Sequence, residues 1–566
     1  MTKDRKNNDG ALSALGEQMV KLGFSLRENE SAESDEAWKI DNASRKQQKR
    51  KKRGGKRRKL TAEEIARKEA ETAHKKKWDR IVAKASRDAQ KARQKKTPTE
   101  NLSSLEPRTT KRDPSIGEIE ASIEALLPAV AERNRADHGT ITASDADQEI
   151  LNRRLECGGW EEVRTSMFEG EAQVYLGFDF GTTSSKLVFD LPYDGRFPRF
   201  AVSAPPALQA EGHPYLWKSC LWISEDGTYS LLPETRSRCL AGFKIELMKA
   251  LAKTRPQGRI TEPELTTTAY FTLMLRQALG WLHEEIGQIW KEGSVEYFVN
   301  YGFPASTVDS PLAAQGFKRC ARAALQLVQG GTEINRHSVA SCLRELEHEV
   351  DREDDWGIFP EITAAVAGFA NSVKRRDGLY MLVDIGGMTV DCCTFNLYRA
   401  HKGKDRCPIF SADIRNLGVE PLKVWLERGR SEAEYRKVIW HRVTGIVGHT
   451  FKSRNPRSDR WGNELETFVT GGGAASSPHK TALEEVSKET QREDWCRTPL
   501  NLMPLPVENV EAPGIDEDDA QRLVVAIGLA RPIDDIPEWV SESSIPDIER
   551  FPRSNYEEAY VGPEQV

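Results

Sequence analysis

Two aspartates carry the chemistry that this sequence offers most plainly. Asp179 closes the apolar run Gly177-Phe-Asp-Phe and is followed by Gly181, Thr182, Thr183 and Ser184, after which Leu187-Val-Phe-Asp-Leu191 begins a second apolar run. Asp384 repeats the plan in Tyr380-Met-Leu-Val-Asp-Ile-Gly-Gly-Met-Thr-Val-Asp-Cys393, where Gly386, Gly387 and Thr389 make the turn. A carboxylate at a strand end can hold water on a divalent cation. Glycine and small hydroxyl residues in the turn let backbone N–H groups approach an anion such as phosphate. Two such turns can clamp a polyphosphate from both sides. A third segment, Phe468-Val-Thr-Gly-Gly-Gly-Ala474, runs an apolar strand into Gly471, Gly472 and Gly473, a surface on which a nucleoside can lie flat.

The elements that must position these groups read as strand–turn–strand units set among helices. Further strands are expected at Phe200-Ala-Val-Ser and over Cys220–Leu232, where Asp226-Gly227 is a hairpin signal. Helices are expected over Thr266–Gly287, over 361–373, and over Asp519–Ala530. Ahead of this body, apolar spacing predicts helix within 114–134 and over Ser144–Leu155, segments expected to dock on the body. Alternation of strand and helix defines an α/β fold.

In this order the segments resemble the phosphate 1, phosphate 2 and adenosine motifs of the actin, sugar-kinase and heat-shock chaperone ATPase superfamily, and most of all DnaK-type ATPase domains. Val299-Asn-Tyr-Gly-Phe-Pro-Ala-Ser306 is similar to the chaperone strand ending in Val-Pro-Ala. Pro360-Glu-Ile-Thr-Ala-Ala-Val-Ala367 resembles the start of the first connecting helix, and Asp519–Ala530 the last helix of that domain. The likeness spans residues 174 to 531. It implies a two-lobed actin-like ATPase fold with paired ribonuclease-H-like sheets, and ATP with Mg²⁺ between the lobes. On that likeness, Asp179 and Asp384 hold Mg²⁺ through water. Gly181, Thr182, Thr183, Ser184, Gly386, Gly387 and Thr389 meet the phosphates, and Gly471, Gly472 and Gly473 the nucleoside. Lys244 matches a lysine near the terminal phosphate, and Glu361 a glutamate that orients water or metal. Asp391 is expected to brace an interface or a turn.

The chain also departs from that family. Met388 stands where chaperones have a third glycine, and Ala474-Ala-Ser-Ser-Pro478 stands where they carry an arginine that stacks on adenine. The stretch between Asp384 and Gly471 is short for the family, so the subdomain over the adenine reads as trimmed. Ser338–Asp355 reads as an acidic insertion. No peptide-binding β-sandwich is expected after Arg531.

Charge divides the chain unevenly. The net charge is −5, yet Arg45–Lys59 holds eleven basic residues in fifteen. Such a block self-repels and cannot enter a core. It offers a contact for nucleic acid, an anionic membrane or another polyanion, and a nuclear import signal if the host is eukaryotic. Without interleaved aromatics, sequence-specific readout is not expected. A capping box at Thr61-Ala-Glu-Glu64 opens a helix expected to reach Lys96, and Leu12–Phe24 is a short amphipathic stretch. The tail Pro532–Val566 carries nine acidic and two basic residues with several prolines; it is expected to be extended and to mask the basic arm. Nine cysteines without a Cys-x-x-Cys pair, together with the absence of zinc spacing, a signal peptide and a spanning run, suggest a reducing, cytoplasmic setting.

The expected organisation is a charged arm (1–110), a helical linker segment (111–173), the ATPase body (174–531) and the acidic tail (532–566). The expected function is a chaperone-like ATPase that acts as a nucleotide-gated switch for a protein partner. A filament-forming actin-like ATPase and a small-molecule kinase of the same superfamily are the alternatives.

Overall fold

Each aspartate-ended segment folds as an antiparallel hairpin inside its own sheet. The computed structural model describes residues 114–139, 141–157, 172–192, 199–252, 259–286, 295–304, 310–331, 333–346, 357–400, 404–492 and 495–545. The readings of Leu12–Phe24, the basic block 45–59, the helix from Thr61, Ser306, residues 347–355 and the tail beyond 545 lie outside them.

In the first sheet, β1 (Ala172–Asp179) pairs with β2 (Ser184–Asp190), and β2 with β3 (Arg199–Ala201) and β4 (Trp217–Lys218). The turn is tighter than the sequence suggests, because Ser184 and Ser185 already belong to β2. A three-stranded sheet of β5 (Cys220–Ile223), β6 (Tyr229–Ser230) and β7 (Arg238–Ala241) follows, with Asp226 and Gly227 at its first turn. Then β8 (Val295–Phe303) and β9 (Gly357–Pro360) add in parallel on the far side of β1.

The second sheet repeats this order. β10 (Gly378–Ile385) pairs antiparallel with β11 (Val390–Arg399), and β11 with β12 (Asp405–Arg415). On the other side β13 (Leu465–Thr470) and β14 (Leu500–Pro504) add in parallel. β15 (Val510–Glu511) returns to the first sheet beside β3, and β16 (Glu538–Val540) adds to β12. The opening of the acidic tail is therefore an edge strand of the second sheet, tied by Arg406 to Glu538 at 2.8 Å.

Helices cover the sheets. α1 (Ile116–Glu124), α2 (Leu127–Gly139) and α3 (Asp145–Cys157) precede β1. The single amphipathic stretch expected over 114–134 divides because Pro128 has no N–H to continue the helix. Ile119 and Ile123 of α1 enter the core of the second sheet, while Leu151 of α3 enters that of the first. α4 (Phe243–Leu251), α5 (Glu262–Glu285), α6 (Pro311–Gln329) and α7 (Arg336–Glu345) belong with the first sheet. α5 begins earlier than Thr266 because Thr261 and Glu264 form a capping box with Pro263 in the first turn. α8 (Glu361–Ala370), α9 (Val419–Glu427), α10 (Glu432–His449) and α11 (Ser477–Thr490) follow. The helix expected over Asp519–Ala530 is broken into α12 (Glu517–Ala520), a tight turn at Gln521–Leu523, and α13 (Val524–Leu529). In that turn the Gln521 side chain bonds to Leu505 O and Arg522 reaches Glu211.

The class is mixed α/β, and the core explains its sequence pattern. Leu379, Met381, Val383 and Ile385 pack with α9–α11, while Tyr380 and Leu382 pack with α8 and α13. Both faces of β10 are buried, so its apolar run is continuous rather than alternating. α13 crosses β1 so closely that a Cβ on Gly177 would stand 2.1 Å from Ala526 O. It meets α8 equally closely, since a Cβ on Gly528 would stand 1.7 Å from Ala364 O. These two helices thus join the sheets. Among the described residues no helix is long and apolar enough to cross a membrane.

Candidate functional site

The two hairpin turns meet. A Cβ on Gly387 would lie 2.9 Å from the Thr183 hydroxyl, so only glycine lets the turns approach this closely. Beneath them lies a cavity of about 250 Å³. Asp179, Gly181, Thr182, Thr183 and Ser184 line it from the β1–β2 hairpin, and Asp384, Gly386, Gly387 and Thr389 from the β10–β11 hairpin. Lys244, Glu361, Gly471, Gly472 and Gly473 complete the set. Every site residue named from the sequence is therefore in one cavity, although they come from five separate stretches of chain.

The turns present backbone to this space. A Cβ on Gly181 would collide with Ser184 O at 2.0 Å. Among the described residues, the N–H groups of Thr182 and Gly387 have no hydrogen-bond acceptor. Gly471 has φ +87, and a Cβ there would lie 2.2 Å from Asp384 Oδ1. The third glycine segment thereby presses against the second aspartate, and Gly473 N–H donates to Ile385 O at 2.7 Å.

Charge in the cavity is concentrated and largely buried. Lys244, in the first turn of α4, donates to Glu361 at 2.6 Å and lies over the Phe180 ring. It is 9 % exposed, so it is no surface lysine. Burial disfavours its ammonium, but Glu361, Asp179 and Asp391 outweigh that and raise its pKa. Glu361 opens α8, where the helix dipole favours a carboxylate.

Register decides two residues, Lys186, to which the motif reading gave no role, and Asp391, which it assigned to bracing an interface or a turn. Lys186 stands directly opposite Asp179 across the β1–β2 ladder and bonds to it at 2.9 Å. Asp391 stands directly opposite Asp384 across β10–β11. It lines the cavity rather than only bracing a turn, and its Oδ1 is buried without a hydrogen-bond partner. Burial, then Glu361, pushes the Asp384 carboxyl up to about 6. Burial, then Asp384 and Glu361, pushes Asp391 up to about 8. Counting strand positions outward from each turn would have found both residues. At the glycine-rich end, Arg522 bonds to Glu211 at 2.5 Å and would touch a Cβ on Gly472 at 3.0 Å. The segment Asp519–Ala530 contains Arg522, but the motif reading assigned it no site role, because it reaches the cavity from the turn before α13.

Four carboxylates (Asp179, Glu361, Asp384 and Asp391) therefore face two ammonium groups, an excess of negative charge suited to a divalent cation. Among the described residues no group of three or more His, Cys, Asp or Glu is placed to hold a metal. This donor set fits an ion that keeps most of its water and takes phosphate oxygens as ligands, as Mg²⁺ does. No protein-family model matches the chain, and no curated protein matches it.

Proposed function

We propose that this protein binds ATP with Mg²⁺ between its two sheets and hydrolyses it, and that the nucleotide state gates contact with a protein partner. The observation that carries this reading is the meeting of two aspartate–glycine–threonine hairpins, from sheets of the same strand order, at one cavity. That arrangement supports a reading of the chain as a two-lobed actin-like ATPase with paired ribonuclease-H-like sheets.

The roles follow from the chemistry of each group. The backbone of Gly181–Thr183 and Gly386–Thr389 would cradle the phosphates, with Thr182, Thr183, Ser184 and Thr389 supplying hydroxyls. Asp179 and Asp384 would hold the waters of Mg²⁺, which neutralises phosphate charge when bound. Lys244 places a fixed positive charge where charge develops on transfer, and Glu361 keeps it oriented. Asp391, with its unpartnered Oδ1 and a carboxyl pushed up to about 8, is suited to exchange a proton near neutral pH. Gly471–Gly473 and Arg522 would receive the nucleoside. The two connecting helices, α8 and α13, are the elements through which a change of cleft could reach both sheets.

The test is Mg²⁺-dependent ATP binding and hydrolysis by the full-length protein beside Asp384→Ala. Hydrolysis is expected for the wild type and loss of at least about a hundredfold for the variant. Absence of ATP binding by the wild type would sink the reading. Turnover that requires an added sugar or acid would replace it with a kinase, and ATP-dependent pelleting would replace the switch with a filament.

A further inference from the structure

Away from that cavity, a second concave surface lies between the three-stranded sheet and the start of α7. It is an open groove of about 1030 Å³. Arg236, Arg238, Arg259, Arg336 and Arg344 line it, against the carboxylates of Glu225 and Asp226. All five arginines are exposed, in a chain whose net charge is negative. Local pairing accounts for two of them at most. Arg336 bonds to Glu262 at 2.5 Å, and Arg236 stands 3.9 Å from Glu225. Among the described residues Arg238, Arg259 and Arg344 have no ion-pair partner.

The backbone adds a second observation. Arg236 has φ +62, in the left-handed region that side chains other than glycine and asparagine seldom adopt. The turn is closed by Ser237 N–H donating to Glu234 O at 3.0 Å, and a glycine would meet its backbone demand at less cost than an arginine. Strain of this kind concentrates where a side chain must be presented.

We propose that this groove binds an acidic, aliphatic-containing peptide segment of a partner protein. Guanidinium groups pair with carboxylates in a planar two-bond geometry that a lysine cannot reproduce. The floor between them is aliphatic, formed by Ile223, Ile260, Leu265 and Ala340. Such a floor suits leucine or isoleucine side chains. Among the described residues the lining has no Phe, Tyr or Trp ring on which nucleobases would stack, His337 being its one aromatic side chain. The carboxylates of Glu225 and Asp226 at one end would repel a continuous phosphate backbone, whereas a peptide can set an amide or a lysine there. The groove is separate from the nucleotide reading and does not depend on it.

The experiment uses the full-length chain with the basic residues of 45–59 changed to glutamine, so that the arm does not itself capture anions. It is titrated with a fluorescent peptide alternating glutamate and leucine, with its lysine-for-glutamate counterpart, and with single-stranded RNA of equal charge. Binding of the acidic peptide alone is expected, weakened by salt. R238E/R344E should weaken it about tenfold or more, and R238K/R344K by less. Circular dichroism of each variant checks that it is folded. Failure of the acidic peptide to bind would overturn the proposal, as would binding unchanged by R238E/R344E. RNA binding that the same pair abolishes would overturn it in favour of a nucleic-acid groove.

Discussion

Asp391 lies directly opposite Asp384 in the β10–β11 ladder, the register position that Lys186 fills opposite Asp179 in β1–β2. One hairpin thus carries a neutralised pair and the other a pair of acids. Like charges directly across a ladder are unfavourable. The acid pair is tolerated because burial, with Glu361 acting on Asp384 and with Asp384 and Glu361 acting on Asp391, keeps protons on it above the ordinary carboxylate range.

That relationship makes stability depend on pH in a stated direction. Both carboxyls bind protons more tightly when folded than at their ordinary 3.8. Their contribution is therefore fully present below about pH 4 and fades as pH rises, through about 6 for Asp384 and about 8 for Asp391. Asp391→Asn keeps the shape without the charge. Its melting temperature relative to wild type, measured without divalent cations, should rise by a few degrees between about pH 5 and 8. A difference that stays constant with pH would show that Asp391 is not protonated in the fold.

Lys244→Met should be damaging in the opposite sense. It removes the ammonium 2.6 Å from Glu361 and leaves that half-buried carboxylate beside Asp384 and Asp391. Breaking a buried pair in this way costs about 3 kcal/mol. Denaturant unfolding at neutral pH should show that loss, and the double variant Lys244→Met/Glu361→Gln should recover much of it. Equal instability of the single and double variants would mean that the lysine acts through packing alone.

The glycine-rich strand end permits a contrast between neighbours. Gly471→Ala places a Cβ at φ +87 and against both Asp384 Oδ1 and Ile385 O. It should lower stability by about 2 kcal/mol or more and disturb the aspartate. Gly472→Ala meets the Arg522 side chain first, at 3.0 Å, and that side chain can swing aside. Its stability should stay within about 0.5 kcal/mol of wild type. Thermal melts of the two variants decide the matter, and matching losses would contradict this geometry.

Arg522 and Glu211 test the proposed placement of a nucleoside at the glycine-rich end of the cavity. Glu211 is 60 % exposed at the side chain, so the ion pair itself contributes less than about 1 kcal/mol. Arg522→Ala should therefore leave stability nearly unchanged. It should weaken ATP binding about tenfold while sparing inorganic triphosphate, which lacks a base. Equal weakening of both ligands, read by calorimetry, would assign Arg522 to the phosphates.

Local chemistry in the sequence was enough to mark most of the residues that line this cavity. A strand ending in aspartate, a turn of glycine and threonine, and a second strand need no distant residue to be recognised. Asp179, Asp384 and the glycines they precede were legible for that reason. The edges of elements were legible only in part, because capping at Thr261, the missing N–H of Pro128 and the tethering of Gln521 and Arg522 shift boundaries that periodicity leaves open. Lys186 and Asp391 needed register, since a side chain's cross-strand partner depends on how many residues the turn consumes. Arg522, Glu211 and the five groove arginines needed tertiary structure outright. Charge acts through space, and the sequence alone does not say which distant charges folding brings within a few ångströms of one another.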